Sequence, residues 1–392
     1  MEYSQRLGKV KGSVIREIFK MMADPDIISL GGGNPAEESY PLEQIREITN
    51  RLLQDKGVQM MEYGITTGYR PFLESYLETL VRPKGVEADI TNVIACTGSG
   101  QGIYMILDLF IDPGDVVLVE SPTFLATLNV MRKLGAQIVP VAMDEEGIII
   151  EDLEAKIKKY QPKLLYTIPT FQNPSGRTLS AARRARIAEF AGRYDMVVLE
   201  DDPYGDVRFR GEPVAPIKSM DESGNVIMLN SFSKTIAPGL RVGAAVAKAE
   251  WIGKLELVKQ GMDTHTATLP QAICGEYMKC GLMPDHLAEV GRIYKERFET
   301  LEAGIKKYFP KNTAYTQPDG GLFVWARIPG IDAAELNKKA VQDYKVAFIP
   351  GAPFCVNEAD GTDCLRLNYS SSRPELITEA CARLGRLFSE VL

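Results

Sequence analysis

A chain of 392 residues is too long for one small core and calls for two lobes. Its 45% hydrophobic and 25% charged residues suit an ordinary globular enzyme, while 45 basic against 52 acidic residues, a net charge of −7 without a basic block, disfavour nucleic-acid binding. No run nears the roughly 20 apolar residues of a membrane span, and the opening "MEYSQRLGKVKGSVIREIF" has no apolar signal core. The six cysteines (96, 274, 280, 355, 364 and 381) form no CxxC pair and read as reduced thiols, so the expectation is a cytoplasmic chain. His265 and His286, the two histidines, are too few for a metal cage or a histidine-based hydrolase, and each reads as structural.

In chain order, the first apolar helical pattern is "GSVIREIFKMM", with Ile15, Ile18, Phe19 and Met22 on one stripe and Ser13 as N-cap. A Gly/Pro-rich loop, "ISLGGGNPAEESYP", follows, and helices resume over about 41–54 and 69–80. From 93 to 250 short apolar runs alternate with helical segments: "VIACTG", "DVVLVES", "GAQIVPVAM", "KLLYTIP", "MVVLEDD", "NVIMLNS" and "RVGAAVA". That alternation predicts an α/β domain with a mainly parallel sheet. The tail changes character: a helix over "RIYKERFETLEAGIKKYF" carries Tyr294, Phe298, Leu301, Ile305 and Tyr308 on one stripe. The runs "GGLFVWARI", "VAFIPG" and "CLRLNYS" then predict a smaller α+β lobe. The division expected is 48–288 for the large domain, with 1–47 and 289–392 forming the small one.

Ligands of open α/β sheets gather at the carboxyl ends of strands, and four such ends carry unusual chemistry. "CTGSGQGIYMILDLF" is a strand end, a glycine-rich turn and an apolar helix, whose free N–H groups, with Ser99 and Gln101, could hold a phosphate. It is neither a Walker loop nor a complete GxGxxG, and a plain tight turn is the rival reading. "LYTIPTFQNPSG" ends in Asn173-Pro174, a turn able to project the Asn173 amide. "MVVLEDDPYGD" sets Glu200, Asp201 and Asp202 after an apolar strand, which suits a solvated loop, a Mg²⁺ site, or an acid paired with a cation. "LNSFSKTIAPGLRVG" closes a strand with Ser231, Ser233 and Lys234 and brings Arg241 after a Pro238-Gly239 turn. A surface lysine is ordinarily a solvated charge. Together, however, the four ends ask for one ligand with a phosphate, a basic nitrogen and an electrophilic carbon, and pyridoxal phosphate has all three.

The chain from about Arg6 onward resembles the fold-type I pyridoxal-phosphate-dependent aminotransferases, in particular the 2-aminoadipate and kynurenine aminotransferase subgroup and the effector domains of MocR-type regulators. The resemblance rests on "SVIREI", "ISLGGGNP", "EYGITTG", "TGSGQG", "IPTFQNPSG", "LEDDPY", "SFSKTIAPGLRVG", "GGLFVWARI" and "LRLNYS", in that order. It implies that Lys234 is the Schiff-base lysine, whose freed amine then shuttles a proton between the substrate Cα and the cofactor. It implies that Asp201 keeps the pyridine nitrogen protonated, and that Tyr204 and Asn173 hydrogen-bond the phenolic oxygen. Ser99, Gly100, Gln101, Ser231, Ser233 and Arg241 would grip the phosphate, and Phe124 in "ESPTFLATL" would stack on the ring. Tyr63 would reach the phosphate of a neighbouring subunit, which makes the functional unit a homodimer with composite active sites.

For the substrate, Arg366 alternates with Leu365 and Leu367, so it faces away from them, and it resembles the family's α-carboxylate arginine. A structural ion pair is its rival. Arg16 matches an arginine that reads a distal carboxylate, with an ordinary helix-surface charge as the rival, and Gly32 lies in the loop bordering the substrate. Two departures concern specificity: "GGGNPAEESYP" sets Asn34 where the family commonly has leucine, and "GSGQG" replaces the frequent "GSQQ", leaving Gly100 only its backbone. The implied activity is amino transfer from an L-amino acid (2-aminoadipate-like, aromatic or branched) to a 2-oxo acid such as 2-oxoglutarate, by a ping-pong route, with no nucleic acid, membrane or metal involved. A C–S β-lyase or a decarboxylase on the same scaffold is the alternative. So is a regulatory domain without catalysis, although no basic helix-turn-helix precedes the match.

Overall fold

The computed structural model of the protein describes Asp24 and residues 26–392. The helix expected around Ile15 and Met22, and Arg16 with it, lies outside the described residues. Helix α1 (Leu42–Met61) runs well beyond the expected stop at 54, because the chain continues through a single non-helical residue, Lys56, next to Gly57. Helix α2 (Arg70–Tyr76) follows and continues into a wider turn over Leu77–Val81.

All seven apolar runs of the middle of the chain enter one sheet, as β1 (Val93–Cys96), β2 (Val116–Glu120), β3 (Gln137–Val141), β4 (Leu164–Thr167), β5 (Val197–Asp202), β6 (Val226–Ser231) and β7 (Gly243–Val246). Their spatial order is β1-β7-β6-β5-β4-β2-β3. Strands β2 to β6 are parallel to their neighbours among themselves, and β7 alone runs antiparallel, both to β6 and to β1. Helices α3 (Ser99–Phe110), α4 (Leu125–Leu134), α5 (Ile150–Tyr160) and α6 (Ala181–Arg193) follow β1 to β4 and return the chain for parallel pairing. Residues 232–242, between β6 and β7, hold only a short 3-10 turn and no crossover helix, so β7 comes straight back.

The pleat sorts side chains strictly between two faces. Ile94, Val117, Val119, Leu164, Tyr166, Val197, Leu199, Ile227 and Leu229 join one core, whereas Leu118, Leu165, Val198 and Val226 join another on the opposite face. A third core unites Val93, Ala95, Met228 and Val246 with α1, α2 and α8 (Thr268–Lys279), after α7 (Ala249–Gln260).

The tail forms a four-stranded antiparallel sheet of β8 (Ala314–Tyr315), β9 (Phe323–Arg327), β10 (Ile349–Pro350) and β11 (Cys364–Asn368), in the order β8-β9-β11-β10. Helix α9 (Met283–Tyr308) starts earlier than its apolar stripe suggests, because Pro284 and Asp285 make a favourable first turn. Helix α10 (Ala333–Tyr344) precedes α11 (Pro374–Val391), which packs on α9 with Cys381 against Gly304 and Gly385 against Tyr308. The run "VAFIPG" is not one strand. It breaks at Phe348, whose N–H donates to Asn337 Oδ1 (3.1 Å), so that Val346 and Ala347 pair with Ile28 and Ser29 while Ile349 and Pro350 join β11.

The two sheets meet through Phe171, which has φ +51, an uncommon backbone for a bulky residue. Its ring lies against Gly320, where a Cβ would collide with both the ring and the Val207 carbonyl, and Gly321 beside it has φ +71. Gly320→Ala is therefore expected to destabilise the protein by about 2–3 kcal/mol, read as a lower midpoint of urea unfolding. An unchanged midpoint would mean that this contact is loose.

Candidate active site

One edge of the large sheet collects the carboxyl ends of β1, β4, β5 and β6 and, because β7 is antiparallel, the start of β7 as well. Gly243 pairs with both Cys96 and Ser231, so Arg241, two residues earlier, enters the same edge as Ser99 and Ser233.

The alternation of β5 separates its three acids. Asp201 shares the face of Leu199, and its Oδ2 accepts a hydrogen bond from Tyr166 (2.8 Å), whose own hydroxyl is fully buried on β4. Glu200 faces the other way and accepts the N–H groups of Ile217 (2.7 Å) and Lys218 (2.8 Å). Asp202 accepts the N–H of Gly205 (2.8 Å), with the Lys84 ammonium 3.9 Å away. Neither a solvated acidic loop nor a three-carboxylate metal site results. Burial pushes the Asp201 carboxyl up to about 7, against the lowering influence of Tyr166, and its buried Oδ1 has no hydrogen-bond partner among the described residues.

A cradle of donors lies at the β1 and β6 ends. The first-turn N–H groups of α3 have no intrahelical acceptor; that of Gln101 closes on the Gly98 carbonyl (3.1 Å), which leaves those of Ser99 and Gly100. Gly98, at φ +72, lies so close to the Arg241 guanidinium that a Cβ there would strike it, and a Cβ on Gly243 would fall 2.9 Å from the Ser99 nitrogen. Arg241 Nη1 lies 3.4 Å from Ser233 Oγ and donates to the Pro238 carbonyl (3.2 Å), and the Ser233 N–H donates to Ser231 Oγ (3.3 Å). Hydroxyls, free amides and an arginine fork on glycine-cleared backbone suit a phosphate. Gln101 departs from the expected set. Its Oε1 accepts from the Thr97 N–H (2.7 Å) and from Lys259 Nζ (2.7 Å), so its side chain is turned into the fold.

Beside the cradle, Lys234 Nζ donates to the Gly33 carbonyl (2.7 Å). Burial, with the cations Arg366 and Arg241 adding to it, lowers its pKa to about 8. Arg366, on β11, is buried; Nη2 donates to the carbonyls of Gly31 (2.7 Å) and Gly32 (3.4 Å), and Nη1 donates to Asn173 Oδ1 (3.0 Å). Its guanidinium lies 4.2 Å from the Phe323 ring centre and 5.2 Å from that of Phe354. Burial lowers its pKa to about 10, and its buried Nε has no partner among the described residues. Among the described residues no carboxylate pairs with it. Asn173 is buried and its Nδ2 lies 3.5 Å from the Tyr204 hydroxyl, whose pKa burial raises.

Lys234, Arg366, Asn173 and Tyr204 thus form one connected group, with Asp201 and the donor cradle at the same sheet edge. Phe124 is half-buried at the N-cap of α4. Tyr63 is 92% exposed, its ring edge near His265. His265 Nε2 accepts the Gly64 N–H (3.1 Å) and His286 Nε2 lies 2.7 Å from the Thr235 carbonyl, so both histidines are tied to backbone.

Three contributors escape sequence reasoning. Tyr166 reads as one more apolar residue of "LLYT". Glu120 is fully buried and accepts from Thr167 Oγ1 (2.6 Å), the Ile168 N–H (3.1 Å) and Gln172 Nε2 (3.1 Å), which pins the loop carrying Asn173. An acid ending the apolar run "DVVLVES" is the same signal as in "VVLEDD", and it could have been found that way. The Gly33 carbonyl has no sequence signal at all.

The model of the family "Aminotransferase class I and II" matches residues 25–384. An aromatic-amino-acid aminotransferase of Thermococcus litoralis is 38% identical over 99% of this chain and 94% of its own length. A 2-aminoadipate transaminase of Thermus thermophilus is 37% identical over 100% and 97%. A crystal structure of Pyrococcus horikoshii kynurenine aminotransferase, in complex with PMP, superposes with a TM-score of 0.95 at 34% identity, covering 100% of this chain and 97% of that one. The chain belongs to the aminotransferase class I and II family and is a pyridoxal-phosphate-dependent aminotransferase of fold type I.

Proposed function

We propose that the edge described above binds pyridoxal phosphate and moves an amino group from an L-amino acid to 2-oxoglutarate in two half-reactions. The observation that carries the assignment is the buried Asp201 Oδ1, which has no partner among the described residues and lies at the edge shared by the Lys234 amine and the donor cradle. When bound, the cofactor supplies an aldehyde that captures amines and a pyridine ring that withdraws electrons from the substrate's Cα.

The residues divide the work. Ser99, Gly100, Ser231, Ser233 and Arg241 hold the phosphate. Asp201 would hold the pyridine nitrogen, and its buried, raised-pKa carboxyl would keep a proton at that nitrogen rather than lose it to water. Tyr204 and Asn173 would hold the phenolic oxygen, and Phe124 would cover the ring. Lys234 would hold the cofactor through its amine, and its Nζ would take the proton from the substrate's Cα. Its lowered pKa supports that task, since a general base works best near the operating pH. Arg366 reads the α-carboxylate, exchanging the Gly31 and Gly32 carbonyls for it. In this division residues 48–288 carry the cofactor, while 1–47 and 289–392 present Arg366. The relatives' names support aromatic or 2-aminoadipate-like donors.

The functional unit is a homodimer. Val58 and Met61 at the end of α1, with Tyr63 and Ile65 beyond it, are apolar or aromatic side chains exposed on one segment, which suits a partner surface. Tyr63 would then serve the partner's phosphate.

Three outcomes follow. Lys234→Ala lowers turnover by about 10³-fold or more, and borohydride reduction of the loaded protein labels the Lys234 peptide, which mass spectrometry checks. A label elsewhere would sink the assignment, and release of ammonia with pyruvate, or of CO₂, would point to lyase or decarboxylase chemistry instead. In the cofactor-free protein, Asp201→Asn raises the melting temperature more at pH 8 than at pH 4.5. Asp201's folded pKa of about 7 exceeds its unfolded one, so its burial penalty grows as pH rises between the two and is complete above 7. A gain equal at both pH values would contradict this. Finally, a mixture of Lys234→Ala and Tyr63→Ala chains recovers activity at limiting cofactor that neither shows alone, because one site of the mixed dimer is intact. No recovery would place Tyr63 outside the partner's site.

A further inference from the structure

Lys259, on α7, has no part in the reading above, yet its side chain is wholly buried, which lysine rarely is unless paired. Its Nζ donates to Gln101 Oε1 (2.7 Å), Thr266 Oγ1 (3.0 Å) and Asp263 Oδ1 (2.9 Å). Thr97 closes the ring: its hydroxyl donates to Asp263 Oδ2 (2.7 Å) and its N–H donates to Gln101 Oε1 (2.7 Å). The network therefore grips the chain on both sides of residues 98–100, at Thr97 and at Gln101.

That turn needs an external hold. Gly98 and Gly100 flank Ser99, so two of its three residues have no side chain to anchor them, and glycine backbone is conformationally permissive. A Cβ at Gly100 would meet nothing within 4 Å, so packing does not confine it either. Because Gln101 Oε1 already accepts two donors, one of them charged, swinging it outward would strip a buried ammonium of one of its acceptors.

We infer that Lys259 is a positioning residue: through Gln101 and Thr97 it fixes the turn 98–100 that meets the cofactor's phosphate, and Gln101 is a strut of that turn rather than a phosphate ligand. The inference rests on the phosphate reading proposed above. Its test compares the dissociation constants of pyridoxal phosphate and of pyridoxal, which lacks the phosphate, for the wild type, Lys259→Met, Gln101→Ala and the double variant. Each single variant is expected to lose about tenfold in affinity for the phosphate form and to leave pyridoxal within about twofold. The double variant loses no more than either single one, since both break the same strut. Equal losses for both ligands, no loss for either, or losses that multiply in the double variant would overturn it. Should Lys259→Met fail to fold, Asp263→Asn, at a partly exposed position, decides: a preference for the phosphate form equal to the wild type's overturns the inference. A wild type that binds both ligands alike would instead remove the phosphate reading itself.

Discussion

An acid and an amine are both withheld from water at one sheet edge, and each is pushed toward its uncharged form. Burial pushes the Asp201 carboxyl on β5 up to about 7 and lowers the amine of Lys234, in the turn after β6, to about 8. The desolvation that would make either group costly in a structural role moves both into the range where proton transfer is productive. The surrounding fold can be read as what it takes to hold them there. Cores on both faces exclude water, a tyrosine on the neighbouring strand orients the acid, and the backbone carbonyl of Gly33 receives the amine.

The second constraint is that the two sheets meet across this edge. Arg366 belongs to the small sheet, Asn173 to a loop of the large one, and the carbonyls of Gly31 and Gly32 to the segment before α1, yet one guanidinium touches all three. Phe171, wedged beneath Gly320 and Gly321, fixes how the Asn173 loop meets β9, and Glu120 pins the same loop through Gln172. Geometry at Asn173 is therefore set from both sides, which suits a group proposed to touch the cofactor and the substrate arginine at once.

Much of the fold was legible. Seven apolar runs, most of them separated by helical segments, read as strands of one mainly parallel sheet, because parallel pairing needs long crossovers; the short return between β6 and β7 leaves β7 antiparallel. Where the reading slipped, the cause was local. Helix α1 continues past Lys56 although the apolar period lapses there, and "VAFIPG" divides because Asn337, distant in the chain, takes the Phe348 amide. The triplet of acids could not be separated by composition; the pleat separates them, because adjacent strand residues must face opposite ways.

By itself the sequence determined most of the secondary elements, the four chemically loaded strand ends and, through their order and spacing, the kind of ligand they suit, since these follow from periodicity and residue type. Only the tertiary structure decided which acid is isolated, that Gln101 turns inward to a buried lysine, and that Arg366 shares a loop with Lys234. Those outcomes depend on contacts between segments from 17 to 335 residues apart, and burial and hydrogen-bond partners exist only once such segments are brought together.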